Sequence, residues 1–243
     1  MALLNGFSRQ TYPNGDSYEG QFHRGKRHGC GTYYHSSNDR YEGDFCDDMM
    51  HGRGTYHYTG REAYSGEWEA NRRHGSGRID YHDGSHYEGQ WVADSRHGQG
   101  CMNYADGSSY EGGWAEDVRQ GKGRMRYVGG GEYLGSWRAN LRSGHGFMRF
   151  ANGSTYDGEF LDDTPEGQGE LFSTEERSTY EGTFQAGRRS GAGRCVYQSG
   201  YTFTGQWHQD QKVSGTREGV DGVVEHVEYI NDVMVKREAM RPS

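Results

Sequence analysis

Residues 18–43, "YEGQFHRGKRHGCGTYYHSSNDRYEG", open and close on the same three letters. The word returns as Tyr64-Ser65-Gly66, Tyr87-Glu88-Gly89, Tyr110-Glu111-Gly112 and Tyr133-Leu134-Gly135. It continues as Tyr156-Asp157-Gly158, Tyr180-Glu181-Gly182 and a worn Phe203-Thr204-Gly205. Counted from Tyr18, the steps are 23, 23, 23, 23, 23, 23, 24 and 23 residues. Nine copies in near-constant phase mark one tandem array, since a fixed period in this range is the signature of a repeat architecture.

Two further features keep step. Two residues after each glycine of the word comes a large aromatic: Phe22, Phe45, Trp68, Trp91, Trp114, Trp137, Phe160, Phe184 and Trp207. Nine residues after the same glycine comes another, from Gly29 to Gly191, followed two positions on by a partner, from Gly31 to Gly193. The unit reads Tyr-x-Gly-x-aromatic, a polar loop, then Gly-x-Gly-x-apolar-x-aromatic. Alternation is the strand signal, because successive side chains on a strand point to opposite faces. Tyr87, Gly89 and Trp91 share one face and Glu88 and Gln90 the other; Gly100, Met102 and Tyr104 behave likewise. Asn14-Gly15, Asp83-Gly84, Asp106-Gly107 and Asn152-Gly153 punctuate these runs. Such dipeptides between alternating strands predict hairpins, because the turn needs positive φ.

Glycine in mid-strand weakens a sheet unless something approaches closely. Gly20, Gly43, Gly66, Gly89, Gly112, Gly135, Gly158 and Gly182 all fall on the aromatic face, so rings are expected to lie flat over bare backbone. The 41 glycines have no three-residue period, which excludes collagen. Aromatic content of 14% in fixed register excludes a disordered linker.

This pattern resembles the MORN (membrane occupation and recognition nexus) family, whose unit looks like Tyr-x-Gly-x-Trp-x-x-Gly-x-x-x-Gly-x-Gly. The resemblance covers about residues 8–215. Departures gather in the second half: Leu134 and Asp157 alter the word, and Gln120, Ser143, Glu166 and Ser190 replace the His that precedes glycine in the first four loops. Phe172–Ser178 holds the extra residue and is expected to form a longer hairpin tip. The last copy, with Ser214-Gly215-Thr216-Arg217, reads as lacking its second glycine.

Only 31% of residues are apolar and mean hydropathy is −1.12, too little to cover a sheet with a second layer. The expected fold is all-β: an elongated, single-layer, twisted antiparallel sheet of about nine tandem hairpins. With strands ~4.8 Å apart, about eighteen of them make a ribbon on the order of 85 Å long. Residues 1–215 read as the repeat array, with Met1–Phe7 a short lead-in, and 216–243 as a C-terminal capping or interaction segment. Within the latter, Val220–Val235 fits a closing hairpin around Asn231-Asp232, and its apolar spacing also fits a helix.

No secretory signal is visible, and no apolar run approaches the ~20 residues that span a bilayer. Cys30, Cys46, Cys101 and Cys195 lack C-x-x-C spacing and read as reduced thiols of a cytosolic protein. His28, His51, His74 and His97 recur in phase and invite a metal. Two strands per repeat put equivalent residues ~9.6 Å apart, whereas zinc ligands lie within ~2.1 Å of the ion. The ladder reads as loop-packing histidines, and His82 and His86 as a solvated hairpin tip; no metal or cofactor is expected. Gly121-Lys122-Gly123 lacks the four-residue gap and following helix of a phosphate loop. Glu19, Glu42, Glu88 and Glu111 are expected to pair with Arg27, Arg73, Arg96 and Arg119. No catalytic constellation appears, so an enzyme is not expected. Family members that are enzymes carry a kinase or methyltransferase domain beside the repeats.

An aromatic face must be covered by something. Self-packing in a trough accounts for most rings first. What remains predicts a groove for a partner helix or extended segment, lined by Trp68, Tyr81, Trp91, Met102, Tyr104, Trp114, Met125, Tyr127, Trp137, Met148 and Phe150, residue types enriched in interfaces. Self-association through the worn C-terminal end is the runner-up use. The resemblance implies a non-enzymatic scaffold or adaptor of the all-repeat type, like radial-spoke-head and other cytoskeletal proteins of the ciliary or flagellar axoneme. A peripheral phosphoinositide- or membrane-associated protein is the alternative, carried by Arg24-Lys26-Arg27, Arg72-Arg73 and Arg188-Arg189, and an accessory module to an enzyme on another chain is a third. Against lipid stands a net charge of −8. The same balance argues against nucleic acid, which requires a contiguous basic face.

Overall fold

The computed structural model describes residues 4–240. The Met1–Leu3 part of the expected lead-in and residues 241–243 of the terminal segment lie outside the described residues. The chain divides into two units, residues 1–120 and 121–243. The first holds β1 Gly6–Thr11, β2 Ser17–His23, β3 Lys26–Tyr34, β4 Arg40–Cys46 and β5 Met49–His57. It continues with β6 Ala63–Glu69, β7 Arg72–Asp80, β8 His86–Val92, β9 Ser95–Asn103 and β10 Ser109–Ala115. After β11 Val118–Arg126, the second holds β12 Glu132–Arg138, β13 Leu141–Arg149, β14 Thr155–Leu161, β15 Thr164–Ser173 and β16 Ser178–Gln185. It ends with β17 Arg188–Tyr197, β18 Thr202–His208, β19 Gln211–Glu218, β20 Val224–Ile230 and β21 Val233–Ala239.

Within each unit consecutive strands pair antiparallel, and among the described residues there is no helix. The described strands number twenty-one rather than eighteen. β1 adds itself to β2 at the start, and β20 and β21 form the closing hairpin, turned at Asn231 and Asp232 with φ of 49° and 60°. The helical alternative for Val220–Val235 does not hold, because β20 pairs with β19 on one side and β21 on the other.

Each repeat contains two kinds of turn. At the expected Gly-containing tips, Tyr104 N–H donates to Ser108 O at 2.9 Å and Gly107 N–H to Tyr104 O at 3.0 Å, with Gly107 at φ 89°. The "polar loop" is instead a second tight turn. Ala93 and Asp94 sit at φ 46° and 74°, and Asp47-Asp48, Glu116-Asp117 and Asp162-Asp163 repeat the pattern. Two successive residues at positive φ define the type I′ hairpin, whose twist matches that of the flanking strands. The strands therefore run through the stretch expected to be loop, and His28, His51, His74 and His97 lie in β3, β5, β7 and β9 rather than in loops.

A bulge follows each tight turn. Gly89 pairs with Gly100 but Trp91 with Arg96, so β9 carries extra residues opposite Gln90. Gly98 takes φ 61° in this bulge, and the Gln90 side-chain oxygen accepts Gln99 N–H at 2.7 Å. Asp44 and Glu67 do the same for Arg53 N–H and Ser76 N–H, at 3.1 and 3.3 Å. The irregular backbone is thereby satisfied, as buried or crowded amides require.

Two expectations about the worn repeats are corrected. The extra residue near 172–178 does not lengthen the tip: pairing runs on to Ser173 and Ser178, leaving Thr174–Arg177 as the turn. In the last copy Gly205 pairs with Gly215, so the second glycine is present and the first, positive-φ glycine is the one missing.

The core is an aromatic ladder. Tyr87 meets Trp91 of its own repeat edge-on at 5.2 Å and Trp114 of the next at 5.4 Å, and Tyr64, Tyr133, Tyr156 and Tyr180 repeat this arrangement. Such pairs contribute about 0.5–1.5 kcal/mol each beyond burial. The Tyr87 hydroxyl donates to Gln90 O at 3.0 Å and Trp91 Nε1–H to Gly77 O at 3.1 Å, so both polar ends are satisfied.

Candidate interaction surface

The residues predicted to line a groove separate into two groups. Trp68, Trp91, Trp114 and Trp137 are 2–5% exposed, and Met102, Met125 and Met148 7–8%. Their surface is spent on the chain itself. Tyr81, Tyr104, Tyr127 and Phe150, at the Gly-containing tips, are half-buried and present what ring surface a partner can touch.

Over Trp91, Trp114 and Trp207 the cover is arginine. Arg96 lies over Trp114 at 4.4 Å, donates from Nε to Asp117 Oδ1 at 2.8 Å and from Nη2 to Asp117 O at 3.0 Å, while its backbone N–H meets the same carboxylate. Arg73 with Asp94, Arg27 with Asp48, Arg142 with Asp163 and Arg189 with Asp210 form the same staple. This corrects the expected pairing of Arg27, Arg73 and Arg96 with the glutamates of the repeated word. Glu42 pairs instead with Arg40 at 3.0 Å and Glu88 with Arg78 at 3.8 Å. The reason is reach: the arginine starts on the aromatic face and the glutamate on the other. Arg189 is additionally gripped by both oxygens of Glu176, at 2.7 and 2.8 Å, from the turn that carries the extra residue.

Hydrogen bonds to the staple hold Asp117's carboxyl below the usual carboxylate range against the opposing effect of burial, which is the largest single influence. Replacing Arg96 with Ala removes the cover over Trp114 and two side-chain bonds, and is expected to cost about 2 kcal/mol in urea unfolding. Asp117→Asn retains the acceptor for the Arg96 backbone N–H, as Asn71 does for Met50 N–H at 2.8 Å, and should cost about 1 kcal/mol or less.

The opposite face is lined by polar side chains in the first unit, whereas in the second Leu134 and Phe147 pair on it and are exposed. In the first unit an open trough of about 680 Å³ is bounded by Ser76, Arg78, Glu88, Gln90, Gln99 and Asn103. His28 and His74 face Asp47 and Glu69 at 3.8 and 3.2 Å, and the His86 ring meets Asn103 Nδ2 at 3.0 Å. Among the described residues, no three His, Cys, Asp or Glu side chains gather where they could hold a metal ion.

Nine successive segments match the MORN repeat model: residues 18–40, 41–60, 64–86, 87–109, 110–132, 133–155, 156–174, 180–200 and 203–224. The chain belongs to the MORN repeat family. MORN repeats are an interaction-scaffold type of unit rather than a catalytic one. No curated protein matches the chain. Among solved structures, the TCP domain of SAS-4 (dCPAP) from Drosophila melanogaster, in complex with a proline-rich motif of Ana2 (dSTIL), is similar at 12% identity. That match covers 66% of this chain and 88% of that one with a TM-score of 0.40. The wild-type TCP10 domain of Danio rerio CPAP is 12% identical over 95% of this chain and 98% of that one, with a TM-score of 0.28. Scores this low do not establish a common overall fold.

Sequence reasoning missed the bulge acceptors Gln21, Asp44, Glu67 and Gln90, and the staple. The signal for the staple lies in the MORN phase: Arg27, Arg73, Arg96, Arg142 and Arg189 are each followed 21 residues later by Asp48, Asp94, Asp117, Asp163 and Asp210. Where Met50 replaces arginine, Asn71 replaces the aspartate.

Proposed function

We propose that the protein is a non-enzymatic scaffold that holds protein partners within a cytoskeletal assembly, its place being the axoneme of a cilium or flagellum. The family and its all-repeat layout support the scaffold reading, and the axonemal placement rests on the resemblance of that layout to radial-spoke-head proteins. The observation that carries the rest is the division of labour between faces. Tryptophan and methionine are consumed by self-packing, so a partner meets the half-buried tip rings and the polar trough.

The lipid alternative loses ground on geometry. Arg27, Arg73 and Arg189 of its three basic clusters are committed to aspartates and stacked on rings. Lys26 lies 3.7 Å from Asp47. Few free cations remain for an anionic surface, where each is worth ~1 kcal/mol.

Proximity labelling in ciliated cells is expected to recover axonemal proteins, and a labelled set without them would remove the axonemal placement. With a partner in hand, Tyr81→Ala with Tyr104→Ala should lose capture while the protein stays folded. Met102→Ala should instead lower stability, by about 2 kcal/mol or more, and leave capture by the folded fraction intact. The reverse pattern would return the binding surface to the Trp–Met face. Flotation with phosphoinositide vesicles is expected to leave the protein at the bottom of the gradient.

A further inference from the structure

The staple position is arginine in six repeats, at Arg27, Arg73, Arg96, Arg119, Arg142 and Arg189, and lysine in the last. Lys212 does not imitate its counterparts. Asp232, the acid at the tip of the following turn, accepts only the Lys212 backbone N–H, at 3.0 Å. Among the described residues, no carboxylate lies within ion-pairing distance of the Lys212 ammonium, whereas Lys26 faces Asp47 and Lys236 faces Glu228 and Glu238. Four rings surround it instead. Nζ lies 4.8 Å from the centre of Tyr197, 5.5 Å from Tyr229, 5.7 Å from Tyr201 and 5.8 Å from Phe203. Its hydrogen bond is a long one, 3.4 Å to the Tyr201 hydroxyl. The walls are fixed: Tyr197 and Tyr201 stack at 4.1 Å across their hairpin tip, and Phe203 meets Tyr229 edge-on at 5.7 Å. Arg217 takes a separate approach to Tyr201, at 5.1 Å.

A ring of aromatic faces around an alkylammonium, with no carboxylate in ion-pairing contact and Glu176 acting on it only from farther away, is the arrangement that favours a methylated cation. Attraction to the ring quadrupoles depends on charge and not on N–H donors. Methylation keeps the charge and removes donors, so an ammonium held by hydrogen bonds or ion pairs loses by it. Lys212 has little to lose. The side chain is half-buried, so a modifying enzyme can reach it when it swings out of the cage.

We propose that Lys212 is a site of N-methylation and that Tyr197, Tyr201, Phe203 and Tyr229 form the cage that holds its methylated ammonium. In the step itself the free-base Nζ attacks the methyl carbon of a sulfonium donor. The C–S bond breaks with its electron pair remaining on sulfur, and a thioether leaves. The one proton lost is the one Nζ gives to water to become the free base, so the methylated nitrogen keeps its positive charge. The methylated side chain then fastens β19 to the rings of β17, β18 and β20.

The protein purified from the cells that express it should carry methyl groups on Lys212 and none on Lys26 or Lys236 when its peptides are fragmented by mass. An unmodified Lys212 overturns the proposal. The cage is tested separately on recombinant protein, whose four lysines can be reductively methylated with isotope-labelled formaldehyde. One methyl resonance should move upfield under the ring currents of the cage and vanish in the Lys212→Arg variant. Thermal unfolding should hold or rise on methylation and fall on acetylation, which removes the charge. A Lys212 methyl signal coincident with those of the other lysines means there is no cage and also overturns the proposal.

Discussion

Raising the pH from 10 to 11 should unfold the first unit in one cooperative step, with its core tyrosines ionising as it opens. Tyr18, Tyr41, Tyr64, Tyr87 and Tyr110 are fully buried. Burial pushes Tyr18, Tyr87 and Tyr110 up to about 12, partly offset at each by a neighbouring arginine. It raises Tyr41 and Tyr64 as well. In the unfolded chain a tyrosine titrates near 10. A folded value above the unfolded one means that the native state holds the proton more tightly. The stabilisation is therefore complete below pH ~10 and is lost as pH rises toward ~12. At pH ~11 each such tyrosine forfeits about 1.4 kcal/mol, so five together remove about 7 kcal/mol, comparable with the ~5–15 kcal/mol that holds a domain together.

The measurement is tyrosinate absorbance followed alongside circular dichroism. The two should move together, and tyrosinate appearing through pH 11 with the strand signal unchanged would contradict the prediction. Tyr87→Phe gives a readout of opposite sign at the two ends of the pH range. It removes the hydroxyl bond to Gln90 O and so lowers stability at neutral pH by about 1 kcal/mol. It also removes one ionisable group from the core, so the alkaline loss is shallower.

The strands, their faces and the glycine–aromatic register were legible because a 23-residue phase repeats the alternating signal many times over. Tyr18 over Gly20 and Gly31 is the contact that bare backbone on the aromatic face anticipates. The tight turns were not legible, because Ala93-Asp94 or Glu116-Asp117 carries none of the glycine that usually announces positive φ. There the aspartate's bonds to the preceding repeat hold the backbone in place, as Asp94 does for Arg73. The groove was misjudged for a related reason. Pattern places Trp91 and Met102 on the aromatic face, but only three dimensions show that Arg73 covers that tryptophan at 4.4 Å. The Lys212 cage could not be read from spacing, since Tyr229 joins it from the terminal hairpin, outside the repeat phase.

Substituting alanine for Gly100 should destabilise the first unit by about 3 kcal/mol or more, toward and beyond the upper end of ordinary overpacking costs. Gly100 and Gly89 face each other across β8 and β9, and the Tyr87 ring lies flat on the pair. A Cβ on Gly100 would overlap the Tyr87 hydroxyl and come within 2.5 Å of ring carbons. An ordinary long side chain would swing aside, but this ring has nowhere to go. It is wedged edge-on between Trp91 and Trp114 and tied through its hydroxyl to Gln90 O. Gly107 supplies the comparison. It sits at φ 89° in a hairpin tip with nothing within 4 Å of an added Cβ, so alanine there meets backbone strain alone, of about 1–2 kcal/mol. Urea midpoints at neutral pH decide between them. If the two variants lose equally, ring-on-glycine contact contributes nothing beyond glycine's conformational preference. If Gly100→Ala loses more, and its near-ultraviolet dichroism changes while that of Gly107→Ala does not, the repeated glycine of the MORN word is there to seat a tyrosine ring. The aromatic ladder then depends on the absence of a methyl group at one position in every repeat.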